Sequence, residues 1–398
     1  MSASPVRLIA VVLTLASISA VGPTASGRNP AAPAGGSLAL TGGTVVVGNG
    51  QVLPNATVIV RDGVITEVGT GVAVPSDAQT VDARGLFVYP GLIDAMGVEG
   101  VRPAQPDASS NPADTDSAVM FPHVRAADLF DPSAVELASW RDAGVLTLNV
   151  APNKGVFMGQ TAVVIPGAGA DRMILKPAAG MRVGLRGTNY RTRRRGMDGE
   201  GGLYPTRLLG VLALIRQTLL DARHQDEALA AHAANPQAIP RPAANRSLDA
   251  LIPVTRRTMP LMFPAETQRD VLRVLDIADD INVGCMVVGG YEAAELAAEL
   301  KAHHVPVLVS LNYPKPDVDV HPQQRTGVEV LRYREHAPKA AAELAAAGLR
   351  LGFASSGLPT GQEFLKNLRL TVQHGLPKDV ALRSATLTAA EILGVDQQ

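Results

Sequence analysis

The residues of this 398-residue chain that could do chemistry sit at the ends of short apolar runs. Asp94 closes Leu92-Ile93-Asp94, Glu266 follows Leu261 to Ala265, Glu292 follows Val287 to Tyr291, and Ser355 and Ser356 follow Leu351 to Ala354. Carboxylates gathered in one pocket could do acid and base work if burial raised the pKa of one of them. A serine acts as a nucleophile only beside an oriented base, and no Gly-x-Ser-x-Gly elbow surrounds this serine pair. Asp94, Glu266, Glu292 and Ser356 are the catalytic candidates. Met96, Val98, Lys154, Gly289 and Ser355 are the candidates for substrate contact.

Metal chemistry needs converging ligands, and a catalytic zinc usually takes three from the protein. The histidines are His123, His224, His232, His303, His304, His321, His336 and His374, and none forms a pair spaced on one helix face or strand end. No metal ligand is assigned. The single cysteine, Cys285, lies in the apolar run Ile281 to Val288, where a thiol packs rather than reacts. Arg191, Arg193, Arg194 and Arg195 have no interleaved aromatic residues to stack bases, so they read as a solvated loop and nucleic acid is not an expected partner.

The elements that must position these residues alternate. Helix patterns at Pro132 to Gly144, Gln268 to Ile281, Ala293 to His303 and Ala337 to Ala347 are interleaved with apolar runs at Val145 to Val150, Leu261 to Phe263, Gly284 to Val288, Val305 to Leu311 and Leu349 to Ala354. That rhythm predicts an α/β fold, a distorted TIM-like (β/α) barrel over residues 87–398. Three apolar runs between Gly159 and Leu185 predict a small antiparallel excursion within an insertion near 153–203. Residues 38–86 carry short alternating runs split by Asn49-Gly50 and Asp62-Gly63, which predicts a small, incomplete β-sandwich lobe. Residues 28–37 read as a linker, and 1–27 as a secretory signal peptide: Arg7, an apolar run from Leu8 to Ala20, then small residues. A periplasmic or secreted chain without a stable membrane anchor follows from that reading.

Pro90-Gly91-Leu92-Ile93-Asp94 resembles the opening motif of the amidohydrolase superfamily, in its imidazolonepropionase-like and prolidase-like subgroup. The resemblance, with the Gly144 turn and the C-terminal helices, covers most of residues 38–395. It implies a barrel that hydrolyses carbon–nitrogen bonds with zinc held by His-x-His on the first barrel strand, a carboxylated lysine, two further histidines and an Asp on the last strand. On that pattern the ligand positions hold Met96, Val98, Pro264, Gly289 and Ser356, and Lys176 is the one lysine near the place of the carboxylated residue. Two readings stay open: a metal-free hydrolase using the carboxylates, and a non-catalytic protein that binds a small molecule or partner in the old pocket. Self-association, or pairing with a metal-competent paralogue, is implied by analogy with the family.

Overall fold

The computed structural model describes residues 36–103, 119–167, 173–185, 205, 207–314 and 327–397. The signal peptide, most of the linker, the Arg191 to Arg195 run and His321 lie outside them.

The N-terminal lobe is one five-stranded sheet: β1 (Ser37–Val46), β2 (Val52–Arg61), β3 (Val64–Gly69), β4 (Ala78–Asp82) and β5 (Phe87–Val88). Its order is β3-β2-β1-β4, with β5 also on β1. Asp62 and Gly63 both take positive φ, 49° and 77°, the conformation a two-residue hairpin needs to match strand twist. Leu40, Val45, Ala56, Val58 and Val60 form its apolar core.

The second sheet has eight strands in sequence order: β6 (Leu92–Gly97), β7 (Val145–Val150), β8 (Phe157–Val164), β9 (Ile174–Val183), β10 (Leu261–Ala265), β11 (Cys285–Gly289), β12 (Val307–Ser310) and β13 (Leu351–Ala354). Neighbours are parallel except β8, which runs against both β7 and β9. This corrects the expected excursion: β8 and β9 are staves of the barrel, because each continues the hydrogen-bonded ladder of its neighbour.

Strand alternation sorts side chains to two sides. Leu261, Phe263, Cys285, Val287, Val307 and Val309 pack outward in one cluster with helix residues such as Val271, Val274 and Leu344. Met262, Met286, Val288 and Leu308 point inward with Met96 and Ala354, so the barrel centre is filled by side chains. The helix Gln268–Ile281 shows why the outer layer forms. Thr267 caps its first turn by accepting from the Asp270 N–H, Asn282 ends it at φ 56°, and Val271, Val274, Leu275, Ala278 and Ile281 share its buried face. Cys285 is buried on β11, where burial pushes its thiol up to about 12. No helix among the described residues is long and apolar enough to cross a membrane.

Candidate functional site

Strands β13 and β6 lie side by side, yet no strand ladder joins them among the described residues. Side chains close the seam instead. Asp94, fully buried on β6, accepts at Oδ1 from the Ser355 N–H just beyond β13 (2.7 Å) and from the Met96 N–H (3.2 Å). The Ser356 N–H donates to the Met96 carbonyl at 3.1 Å. Ser355 is also fully buried, and its Oγ stands 3.2 Å from both the Met96 carbonyl and Glu99 Oε1. Glu99 Oε2 accepts from the Val98 N–H at 2.8 Å.

A hydroxyl has one proton to give. If Ser355 donates to the Met96 carbonyl, Glu99 must itself be the donor to Ser355, which makes Glu99 the protonated member of the group. Its environment agrees: burial first, then the nearby charge of Asp94, pushes Glu99 up to about 8, and burial lifts Asp94 to about 6 against its hydrogen bonds from Ser355 and Met96. Gly97 makes the convergence possible. A Cβ there would stand 1.9 Å from Glu99 Oε2 and 2.6 Å from Asp94 Oδ2, so both oxygens aim at the space a side chain would fill.

Around this pair the barrel interior is polar on one side. Asn149 on β7, fully buried, donates through Nδ2 to the Ala95 carbonyl at 2.8 Å. Its Oδ1, like Asp94 Oδ2, has no hydrogen-bond partner among the described residues. Arg182 at the end of β9 donates to the Pro152 carbonyl (3.2 Å), and burial pulls its pKa below the ordinary arginine value. Glu99, Asn149 and Arg182 were not legible as site residues. Glu99 follows Gly97-Val98 and precedes Gly100, a context that reads as a solvated turn, and only the spacing of five residues from Asp94 could have drawn attention to it.

The other candidates disperse. Glu292 accepts at Oε2 from the Gln268 N–H (2.9 Å) and so stabilises the start of the helix Gln268–Ile281. Ser356 is half-buried at φ 49°, and among the described residues its hydroxyl is joined to no base. Lys154 is exposed, its Nζ 5.4 Å from the Phe121 ring centre. Lys176 donates to the Leu393 carbonyl at 2.8 Å, which ties it to the C-terminal helix Leu387–Leu393 rather than to the mouth. Met96 is buried inside the barrel, Val98 is half-buried, and Pro264 is exposed. Gly289 takes φ 104°, and a Cβ there would come within 2.4 Å of the Glu266 carboxylate. Glu266 is half-buried and accepts from the Tyr333 hydroxyl.

Zinc prefers imidazole, thiolate and carboxylate in a tetrahedral set. The interior oxygens are Asp94 Oδ2, Asn149 Oδ1 and the neutral Glu99, with no imidazole beside them, and no group of three His, Cys, Asp or Glu among the described residues could hold a metal. These residues do not fit a histidine-rich zinc centre. The described histidines are engaged elsewhere in part: His123 with Ser247 Oγ at 3.2 Å, His303 with Asp279 at 3.0 Å and His232 with the Ile239 carbonyl at 2.7 Å.

Solved structures share this architecture. An amidohydrolase from Thermotoga maritima superposes with a TM-score of 0.72 at 21% identity over 90% of this chain and 89% of that one. The chain has the amidohydrolase fold. A prolidase solved with N-methylphosphonate-L-proline matches with a TM-score of 0.50 at 18% identity, covering 91% of this chain and 88% of that one. At these identities the likeness is one of fold. In sequence, dihydroorotase from Citrifermentans bemidjiense is 42% identical over 57 residues, 14% of this chain and 13% of that protein. The chain thus matches only about an eighth of that relative's length. No protein-family model matches the chain.

Proposed function

We propose that this amidohydrolase-fold barrel binds a small organic molecule at the C-terminal mouth of its strands and does not carry out the zinc-dependent carbon–nitrogen hydrolysis of proteins with this fold. One observation carries the reading: the carboxylates best placed for chemistry, Asp94 and Glu99, are turned inward and engaged in closing the seam between β6 and β13. The positions that the resemblance assigns to metal ligands hold Met96, Val98, Pro264, Gly289 and Ser356, and Pro264 leaves an exposed apolar surface at the mouth. The test is elemental analysis of the purified chain prepared without chelator, followed by assay on dipeptides and cyclic amides with and without added zinc. Metal well below one per chain and no zinc-stimulated hydrolysis are expected. Near-stoichiometric zinc, iron or manganese overturns the reading.

A second reading, a metal-free hydrolase, is favoured by one feature: Glu99 near 8 and Asp94 near 6 are split as an acid and a base would be. It requires hydrolysis whose rate follows a bell between those values and is abolished by Glu99→Gln. Export to the periplasm or beyond is part of the proposal, supported by Arg7 and the apolar run from Leu8 to Ala20. Self-association or a metal-competent paralogue as partner is supported by analogy with the fold alone.

A further inference from the structure

A cavity of about 620 Å³ opens at the end of the barrel opposite Asp94 and Ser355, within the size range of roughly 300–1,000 Å³ that small-molecule sites occupy. Three parts of the chain meet around it. The end of the helix Val328–Ala346 and the start of β13 supply one wall, the helices Lys378–Ser384 and Leu387–Leu393 supply the other, and the β1–β2 turn of the N-terminal lobe adds Asn49 and Gly50. That turn is seated on the barrel: a Cβ at Gly48 would stand 3.5 Å from Leu387 Cβ and 3.6 Å from Thr386 Oγ1, ordinary contact distances. β13 begins at the cavity with Leu351 and ends just before Ser355, so about 13 Å of strand separates the cavity from the seam.

The lining divides into a buried floor and a charged rim. Leu349, Leu351 and Ser384 are buried, with Val380 half-buried beside them. On the rim, Arg350 stands 3.7 Å from Glu391, so these two charges offset each other. Asp379 and Arg383 are exposed and lie four residues apart on one face of the helix Lys378–Ser384, yet among the described residues neither forms an ion pair. The cavity therefore presents one open carboxylate and one open guanidinium above an apolar floor. A plain anion gains from Arg383 and loses to Asp379, and a plain cation does the reverse. A molecule that carries both charges gains from each.

We propose that this cavity binds a small zwitterion with an apolar side chain, an α-amino acid in its simplest form, with its carboxylate toward Arg383, its ammonium toward Asp379 and its side chain over Leu349 and Leu351. The proposal goes beyond the ligand site at the strand mouth and does not rest on it. Reactions in this fold take place at the opposite face, so the ligand here is held rather than transformed. Titration calorimetry on the full chain, run to about 10 mM, would compare L-leucine with 4-methylpentanoate, which lacks the ammonium, and with 3-methylbutylamine, which lacks the carboxylate. Leucine is expected to bind about fivefold more tightly than either. Asp379→Asn should remove its advantage over 4-methylpentanoate, and Arg383→Gln its advantage over 3-methylbutylamine. Both residues are exposed, a melting curve checks that each variant folds, and should one fail to fold the other carries the test. Leucine held at the strand mouth instead would keep its full affinity and both advantages in the folded variants, and that result overturns the proposal. So does a one-charge analogue that binds as tightly as leucine, or no leucine binding by the folded chain.

Discussion

The two sides of the barrel mouth treat a strand-end carboxylate in opposite ways. At the seam between β6 and β13, Asp94 is fully buried and one oxygen is taken up by two backbone N–H groups, while Glu99 is neutral in a chain of donors ending on a carbonyl. Across β10 to β12, Glu266 is half-buried, accepts from the Tyr333 hydroxyl and lies against Gly289. The residue type is the same or one methylene different. What differs is who supplies the hydrogen bonds: backbone N–H groups for Asp94, a tyrosine hydroxyl for Glu266. A carboxylate satisfied by backbone across the seam holds two strands together, whereas one that accepts from a tyrosine hydroxyl joins a strand end to a helix.

The sharpest way to break this comparison is Asp94→Ala. It leaves the Met96 and Ser355 N–H groups buried without their acceptor, and at ~1–3 kcal/mol for each such group a loss of about 4 kcal/mol is expected in urea unfolding. Glu266→Gln in the same assay should lose under about 1 kcal/mol, because it keeps an acceptor and stays on a half-buried rim. Equal losses would erase the distinction. Gly97→Ala comes next, at about 3 kcal/mol, since its methyl would collide with both Glu99 Oε2 and Asp94 Oδ2; a thermal melt would show it.

A graded effect follows from protonation. Glu99 is raised from 4.5 to about 8 and Asp94 from 3.8 to about 6. Between these values the folded chain holds protons that the unfolded chain has released, so stability falls as pH rises from about 4 to about 8 and levels off above that. A series of urea melts should show this slope. Glu99→Gln, whose amide can donate to Ser355 and accept from Val98, should flatten its upper half; a slope unchanged in that variant would place the protons elsewhere. Lys176→Met should cost about 1 kcal/mol in the same melts, from losing the hydrogen bond to the Leu393 carbonyl at the end of the last helix.

Much of the fold was legible before any coordinates. The Asp62-Gly63 pair marked a hairpin because two positive φ values suit those residues, and the helix over Gln268–Ile281 was read in sequence with the bounds that the structure gives it. β8 and β9 were misread because antiparallel runs look alike whether they form a separate hairpin or pair outward into a larger sheet. Glu292 and Asp94 looked equivalent in sequence, each a carboxylate after an apolar run. Nothing local distinguishes a carboxylate that accepts from the first N–H of a neighbouring helix from one that accepts across a barrel seam 261 residues away.

What the sequence determined by itself is the set of elements and their faces: strand period, helix period, turn chemistry, and the absence of histidine from the places the resemblance assigns to metal ligands. Tertiary structure alone decided which polar groups meet. Glu99 meets Ser355 and is lifted to about 8, and Tyr291, Tyr313, Tyr333 and Glu266 come together from four separate segments, only when the strands close into a barrel. Hydrophobic periodicity is a property of neighbours in the chain, but desolvation and charge are properties of neighbours in space.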